Sequence, residues 1–178
     1  GGQSASGLDA KFRSYYAALT GFSGRCTVTA DYGTKVYEYE LALAGDLTQG
    51  EAKVTAPENI AGVRFQWADE DGTLVYDGVT LETGELSPDG LSPADAAPLV
   101  LTALAEGRQL SAGAQKLDGE ETVFLELANP KSQDEDNRVL CWLEKSDGAL
   151  RRAEVLSAGM TVVTLVFSEF TYTFDIQE

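Results

Sequence analysis

The chain has 178 residues, 43% of them apolar and 24% charged, which suits one domain with its own core and excludes wholesale disorder. Its 29 acidic against 13 basic residues give a formal charge of -16, which repels phosphate backbones and anionic headgroups and argues against a nucleic-acid partner. Histidine is absent, so the commonest general base, metal ligand and near-neutral pH switch are missing, and no apolar run reaches the ~18 to 20 residues of a membrane-spanning helix.

Residues 1–7, Gly1-Gly2-Gln3-Ser4-Ala5-Ser6-Gly7, read as a flexible tether ahead of a single domain over residues 8–178. A Gly/Ser tether of this kind suits the stretch that follows an acylated cysteine in a bacterial surface lipoprotein, and that cysteine does not occur in this sequence. From Leu8 to Leu19 the apolar residues Leu8, Phe12, Tyr15, Tyr16 and Leu19 fall on one helical stripe, and Gly21 is expected to end the helix. Cys26, Val28 and Ala30 then alternate with polar residues up to a turn at Asp31-Tyr32-Gly33. The hairpin partner places Tyr37, Tyr39, Leu41 and Leu43 on one face and Glu38 and Glu40 on the other. Further strands follow over Gly50 to Ala56, from Val63 through Phe65 and Trp67, over Leu74 to Tyr76 and over Val79 to Glu82, with turns at Asp69-Glu70-Asp71-Gly72 and Asp77-Gly78.

A turn-rich passage containing Pro88-Asp89-Gly90 precedes Ser92-Pro93-Ala94-Asp95, which has the hydroxyl, proline and carboxylate of a helix start. The helix is expected to run to about Ala105, its start moved toward Ala97 by Pro98, and to stop at Gly107. Its apolar residues Leu99, Val100, Leu101 and Leu104 surround it, as suits a helix lying in the hollow of a sheet against the strand faces that carry Phe65 and Trp67. Strands resume at Leu110 to Lys116, Val123 to Leu127, Val139 to Leu143, Ala153 to Leu156, Thr161 to Phe167 and Phe170 to Phe174. This order predicts an α+β fold in which a curved antiparallel sheet forms an incomplete β-barrel and the helices cover its concave face.

Chemistry-bearing motifs are missing. A serine nucleophile would have to borrow its base from lysine or an amine, there is no Gly-x-Ser-x-Gly elbow, and the glycines form neither a Walker nor a dinucleotide motif. The acidic runs at Asp69-Glu70-Asp71 and Asp134-Glu135-Asp136 fall in turns and read as solvated loops, so neither a catalytic pair, a metal site nor a cofactor is expected. Cys26 and Cys141 match no metal or redox spacing and both lie in strands, as two buried thiols or as one long-range disulfide.

The helix–meander–helix–strand layout, with Ala56-Pro57-Glu58-Asn59-Ile60 leading into the Val63 strand, Leu74-Val75-Tyr76-Asp77-Gly78-Val79, and Val163 to Phe170 near the end, resembles the lipoprotein-carrier superfamily of LolA-like, LolB-like and LppX-like proteins. It is also similar to surface lipoproteins of Gram-positive bacteria with the same layout. The resemblance implies a hollow that holds a lipid or acyl chain, in a monomeric, non-enzymatic binding protein outside the cytoplasm, at the cell surface or in the periplasm. Contact with the membrane would run only through an N-terminal lipid anchor lying outside this sequence. The residues expected to line the hollow are Tyr37, Tyr39, Leu41, Val54, Val63, Phe65, Trp67 and Leu101. The competing expectation is an envelope protein-interaction or sensing domain with a filled core and a protein partner. Cavity volume separates the two.

Overall fold

The computed structural model describes residues 7–68, 71–76, 79–85 and 91–176. The turn at Asp69-Glu70, that at Asp77-Gly78, the Pro88-Asp89-Gly90 turn and most of the tether lie outside the described residues. Helix α1 (Leu8–Ala17) leads into β1 (Leu19–Asp31), β2 (Val36–Gly45), β3 (Gln49–Ala56), β4 (Arg64–Ala68), β5 (Asp71–Tyr76) and β6 (Val79–Glu85). Helix α2 (Ala96–Glu106) follows, then β7 (Gln109–Leu117), β8 (Glu120–Ala128), β9 (Arg138–Glu144), β10 (Leu150–Ser157) and β11 (Met160–Phe174). All pair antiparallel in one 11-stranded sheet of order β6-β5-β4-β3-β2-β1-β11-β10-β9-β8-β7. The edges β6 and β7 do not pair, so the curved sheet is an incomplete barrel.

Two meanders thus meet at the long β1–β11 ladder, and α2 carries the chain from one edge of the sheet to the other. Helix α2 packs on β8, β9, β10 and β11, and α1 packs on α2 and β8. Its residues Ala96, Ala97, Leu99, Val100, Leu101, Ala103 and Leu104 are all buried, as the all-round apolar pattern requires, and each large one contributes roughly 1.5–3 kcal/mol. The β9–β10 turn closes onto α1: Tyr16 donates its hydroxyl to Gly148 O at 2.7 Å. Gly148 has φ 77, and a Cβ there would fall 2.6 Å from the Phe12 ring, so only glycine fits.

Several expectations need correction. Helix α1 stops at Ala17, before Gly21, because Leu19 and Gly21 pair with Phe174 and Thr173 of β11 and ladder pairing overrides the helical stripe. The start signal at Ser92 shapes a turn, with Ser92 Oγ donating to Asp95 and accepting from its N–H, whereas the helix begins at Ala96, in line with the later start near Ala97 expected from Pro98. The two C-terminal strands are one strand of 15 residues with a bulge at Ser168, where Arg25 pairs with Glu169 but Cys26 pairs with Phe167. Helix α2 lies chiefly on the β8–β11 half of the sheet rather than over Phe65 and Trp67.

The Cys26–Cys141 disulfide is also absent: both cysteines are free and buried. They stand on β1 and β9 with β11 and β10 between them, about 14 Å along the sheet at the usual strand spacing. A bridge needs Cα atoms about 4.4–6.8 Å apart.

Candidate functional site

Because the helices occupy the β8–β11 half, the inner face of β2, β3 and β4 has a different roof. In antiparallel ladders directly paired residues share a face. Leu41 pairs with Val54, Leu43 with Ala52, and Ala52 in turn with Phe65, which sets an apolar inner wall across three strands. Ala52 is the smallest member of its row and leaves room above it. The short 3-10 turn Glu58–Ile60 brings Ile60 to one side, and the segment Ser92-Pro93-Ala94 runs over the top as a strap.

The result is a hollow of about 290 Å³ lined by Tyr39, Leu41, Ala52, Val54, Ile60, Val63, Phe65, Ser92, Pro93 and Ala94. Among the described residues, Ser92 and Tyr39 are the only lining residues with polar side chains, and none of the described lining residues is charged. Tyr39 leads outward to Tyr37, whose ring stacks on it at 6.4 Å, and Tyr32 meets Tyr37 edge-on at 5.9 Å. The Tyr32 hydroxyl donates to Leu91 O at 2.7 Å, tying the β1–β2 hairpin to the strap. Burial, reinforced by neighbouring Tyr37, Tyr39 and Asp95, raises the Tyr32 pKa, so this hydroxyl stays a donor through the physiological range.

The structure brings together five of the eight residues expected at the site: Tyr39, Leu41, Val54, Val63 and Phe65. Tyr37 is 37% exposed and stands outside the hollow, next to Tyr39. Trp67 is buried one inward position beyond Phe65, with the two rings 6.4 Å apart, and Leu101 is buried in α2. Sequence reasoning missed Ala52, Ile60, Ser92, Pro93 and Ala94. Ile60, an apolar residue in a Pro-flanked loop, was a usable signal; Ala52 and the strap were not, because small residues and helix starts carry no mark of a cavity.

Two larger hollows differ in chemistry. One of about 460 Å³ is bordered by Glu144, Asp147, Arg151 and Glu169, and one of about 400 Å³ lies between Lys11 and Tyr15 of α1 and Thr171 and Tyr172 of β11. Both are more polar than the hollow over β3. Among the described residues no group of three or more His, Cys, Asp or Glu side chains could hold a metal ion, and no helix is long and apolar enough to cross a membrane.

No family model matches the chain, and no curated protein matches it in sequence. Solved structures match it along nearly its full length. The lipoprotein LppX of Mycobacterium tuberculosis is 14% identical, with 96% of each chain covered and a TM-score of 0.50. A candidate outer membrane lipoprotein-sorting protein domain from Vibrio parahaemolyticus is 12% identical, with 96% of this chain and 93% of that one covered and a TM-score of 0.52. The chain shares its fold with both. An uncharacterized conserved protein from Thermus thermophilus shares this fold at 13% identity, with 96% of this chain and 90% of that one covered and a TM-score of 0.55. At such identities the likeness concerns the path of the backbone; the side chains of the hollow are this chain's own.

Proposed function

We propose that this chain is an extracytoplasmic, membrane-tethered binding protein for a lipid or another apolar ligand, acting as a monomer and without catalysis. The observation that carries this reading is the apolar hollow of about 290 Å³ beneath the Ser92-Pro93-Ala94 strap. Side chains around a hollow make van der Waals contacts on one side only, and an apolar guest supplies the missing partners. The volume stands at the low end of the ~300–1,000 Å³ of small-molecule pockets, which suits one chain segment better than a whole multi-chain lipid. With no charged group among the described lining residues, the enclosed part of the ligand is uncharged, because a buried charge without a partner is strongly disfavoured. The placement outside the cytoplasm and the tether draw support from the fold shared with LppX, itself described as a lipoprotein. A domain serving only protein contacts would have its core filled, so the hollow favours the ligand reading.

Uptake of a fluorescent fatty-acid probe tests the proposal. Val54 is half-buried on the wall of the hollow, so Val54→Trp adds bulk there without burying a polar group. Wild type should bind the probe, and Val54→Trp should lose binding at least tenfold while its melting temperature stays close to wild type. A wild type that takes up no probe, or a Val54→Trp protein that binds as well, would overturn the proposal.

A further inference from the structure

The file of rings that leads out of the hollow, Tyr39, Tyr37 and Tyr32, ends at the turn between β1 and β2. Four of the seven exposed large apolar side chains among the described residues gather at this rim: Tyr32 at 46%, Val36 at 61%, Tyr37, and Met160 at 73%. Met160 belongs to another hairpin, the one between β10 and β11, yet the β1–β11 ladder brings the two turns side by side. Ala30 pairs with Val163, and that register continued by a few residues sets Met160 beside the turn that follows Asp31, on a strand ~4.8 Å away. Of the other three, Phe174 and Ile176 lie at the opposite end of the ladder, where Phe174 pairs with Leu19, and Val166 stands mid-strand.

Hydrogen bonds fix both turns. Tyr32 N–H donates to Lys35 O and Gly33 N–H to Asp31 Oδ1, each at 2.9 Å, while Gly159 N–H donates to Asp136 O at 2.9 Å and Ala158 N–H to Asn137 Oδ1 at 3.1 Å. A Cβ at Gly33 or at Gly159 would meet nothing within 4 Å, so each turn projects into open space. Two fixed, projecting tips therefore hold aliphatic side chains in water beside the tyrosines that border an apolar hollow. Tyrosine, with an apolar ring and a polar tip, suits a boundary between water and hydrocarbon.

We propose that this rim docks on the surface of a bilayer of uncharged or zwitterionic lipids, with Val36 and Met160 entering between the headgroups and Tyr32 and Tyr37 at the interface. The proposal rests on the apolar-ligand reading above and adds a route to it: an apolar ligand resides in membranes rather than in water, and the rim lets it pass between bilayer and hollow along the tyrosines. It is a membrane contact besides the N-terminal anchor expected from the sequence. Charge selects the lipid. The rim carries Asp31, Lys35 and Glu38 on one hairpin and Asp136 against the other, and the chain as a whole has a formal charge of -16, so an anionic surface is repelled.

Flotation of the 178-residue chain with phosphatidylcholine vesicles, beside uptake of a pyrene-labelled fatty acid carried by those vesicles, tests the proposal. Val36→Asp and Met160→Asp change exposed positions outside the hollow, and binding of N-phenyl-1-naphthylamine added from water shows whether each variant keeps its fold and its hollow. Wild type should float with phosphatidylcholine and at least tenfold less with phosphatidylglycerol, and each variant should lose flotation and uptake from vesicles about tenfold while binding N-phenyl-1-naphthylamine as wild type does. A wild type that does not float, or variants that take the fatty acid from vesicles as fast as wild type, overturn the docking and leave the proposed function standing wherever N-phenyl-1-naphthylamine still binds; a rim that meets a protein partner would give that result. Binding of neither probe to wild type overturns both.

Discussion

Arg13 shows how one side chain can hold two elements together. From α1 its guanidinium donates to Leu104 O at 2.6 Å, to Ala103 O and Gly107 O at the end of α2, and to Gln109 Oε1. Leu104 O and Gly107 O lie at the helix C-terminus, where carbonyls lack intrahelical partners and a cation is also favoured by the helix dipole, while Ala103 O already accepts the Gly107 N–H. Arg13→Ala should therefore lower unfolding free energy by about 1–3 kcal/mol in urea titrations, with Arg13→Lys intermediate. Equal stability of wild type and Arg13→Ala would contradict the bracing role. At the same scale, burial raises the Cys26 pKa from 9.0 to about 12 and pushes Cys141 up further, so the folded state keeps both thiols protonated. The unfolded chain releases those protons near pH 9. Stability from the neutral thiols is then complete below about pH 9 and falls as pH rises toward 12, by up to about 1.4 kcal/mol per pH unit for each thiol. Urea unfolding between pH 9 and 10 should show a shallower decline in Cys26→Ala than in wild type; an unchanged slope would contradict it. Five wall residues of the hollow were legible because alternation fixes the face of a strand, whereas Tyr37, on that same face, stands outside because position along the strand, and not face alone, decides burial.

At the scale of elements, β11 is the most instructive. Its apolar residues keep odd numbers through Val163, Leu165 and Phe167 and then even numbers through Phe170, Tyr172 and Phe174. That change of phase was visible in the sequence and suggested two strands. It is instead the mark of one extra residue, Ser168, which lets Phe170 and Tyr172 keep packing against the core beside Tyr16 and Phe22. Deleting Ser168 should turn Phe170, Tyr172 and Phe174 to the outer face and destabilise by about 3 kcal/mol or more, while Ser168→Ala should change stability by less than about 0.5 kcal/mol. Thermal melts of both variants check this; a stable deletion would show that the bulge does not set the register. The end of α1 was illegible for the opposite reason, since nothing local at Leu19 announces that a strand 155 residues later will claim it.

For the whole molecule, the layout of the sheet and its two helices followed from alternation and turn residues, because in a meander each strand pairs with its sequence neighbour. What the sequence misplaced was the half of the sheet that α2 roofs, expected over Phe65 and Trp67 and found over β8–β11. That depends on how α1 and α2 pack together, and it decides where the hollow lies: over β3, under a strap the sequence presented as a helix start. The central claim is that this hollow takes an apolar ligand. Native mass spectrometry of the protein purified from its own cell envelope, beside Val54→Trp purified in the same way, tests it most directly. The account predicts a lipid-sized adduct on the wild type that is lost in the variant; a wild type free of any adduct, or an adduct that persists on Val54→Trp, would contradict it.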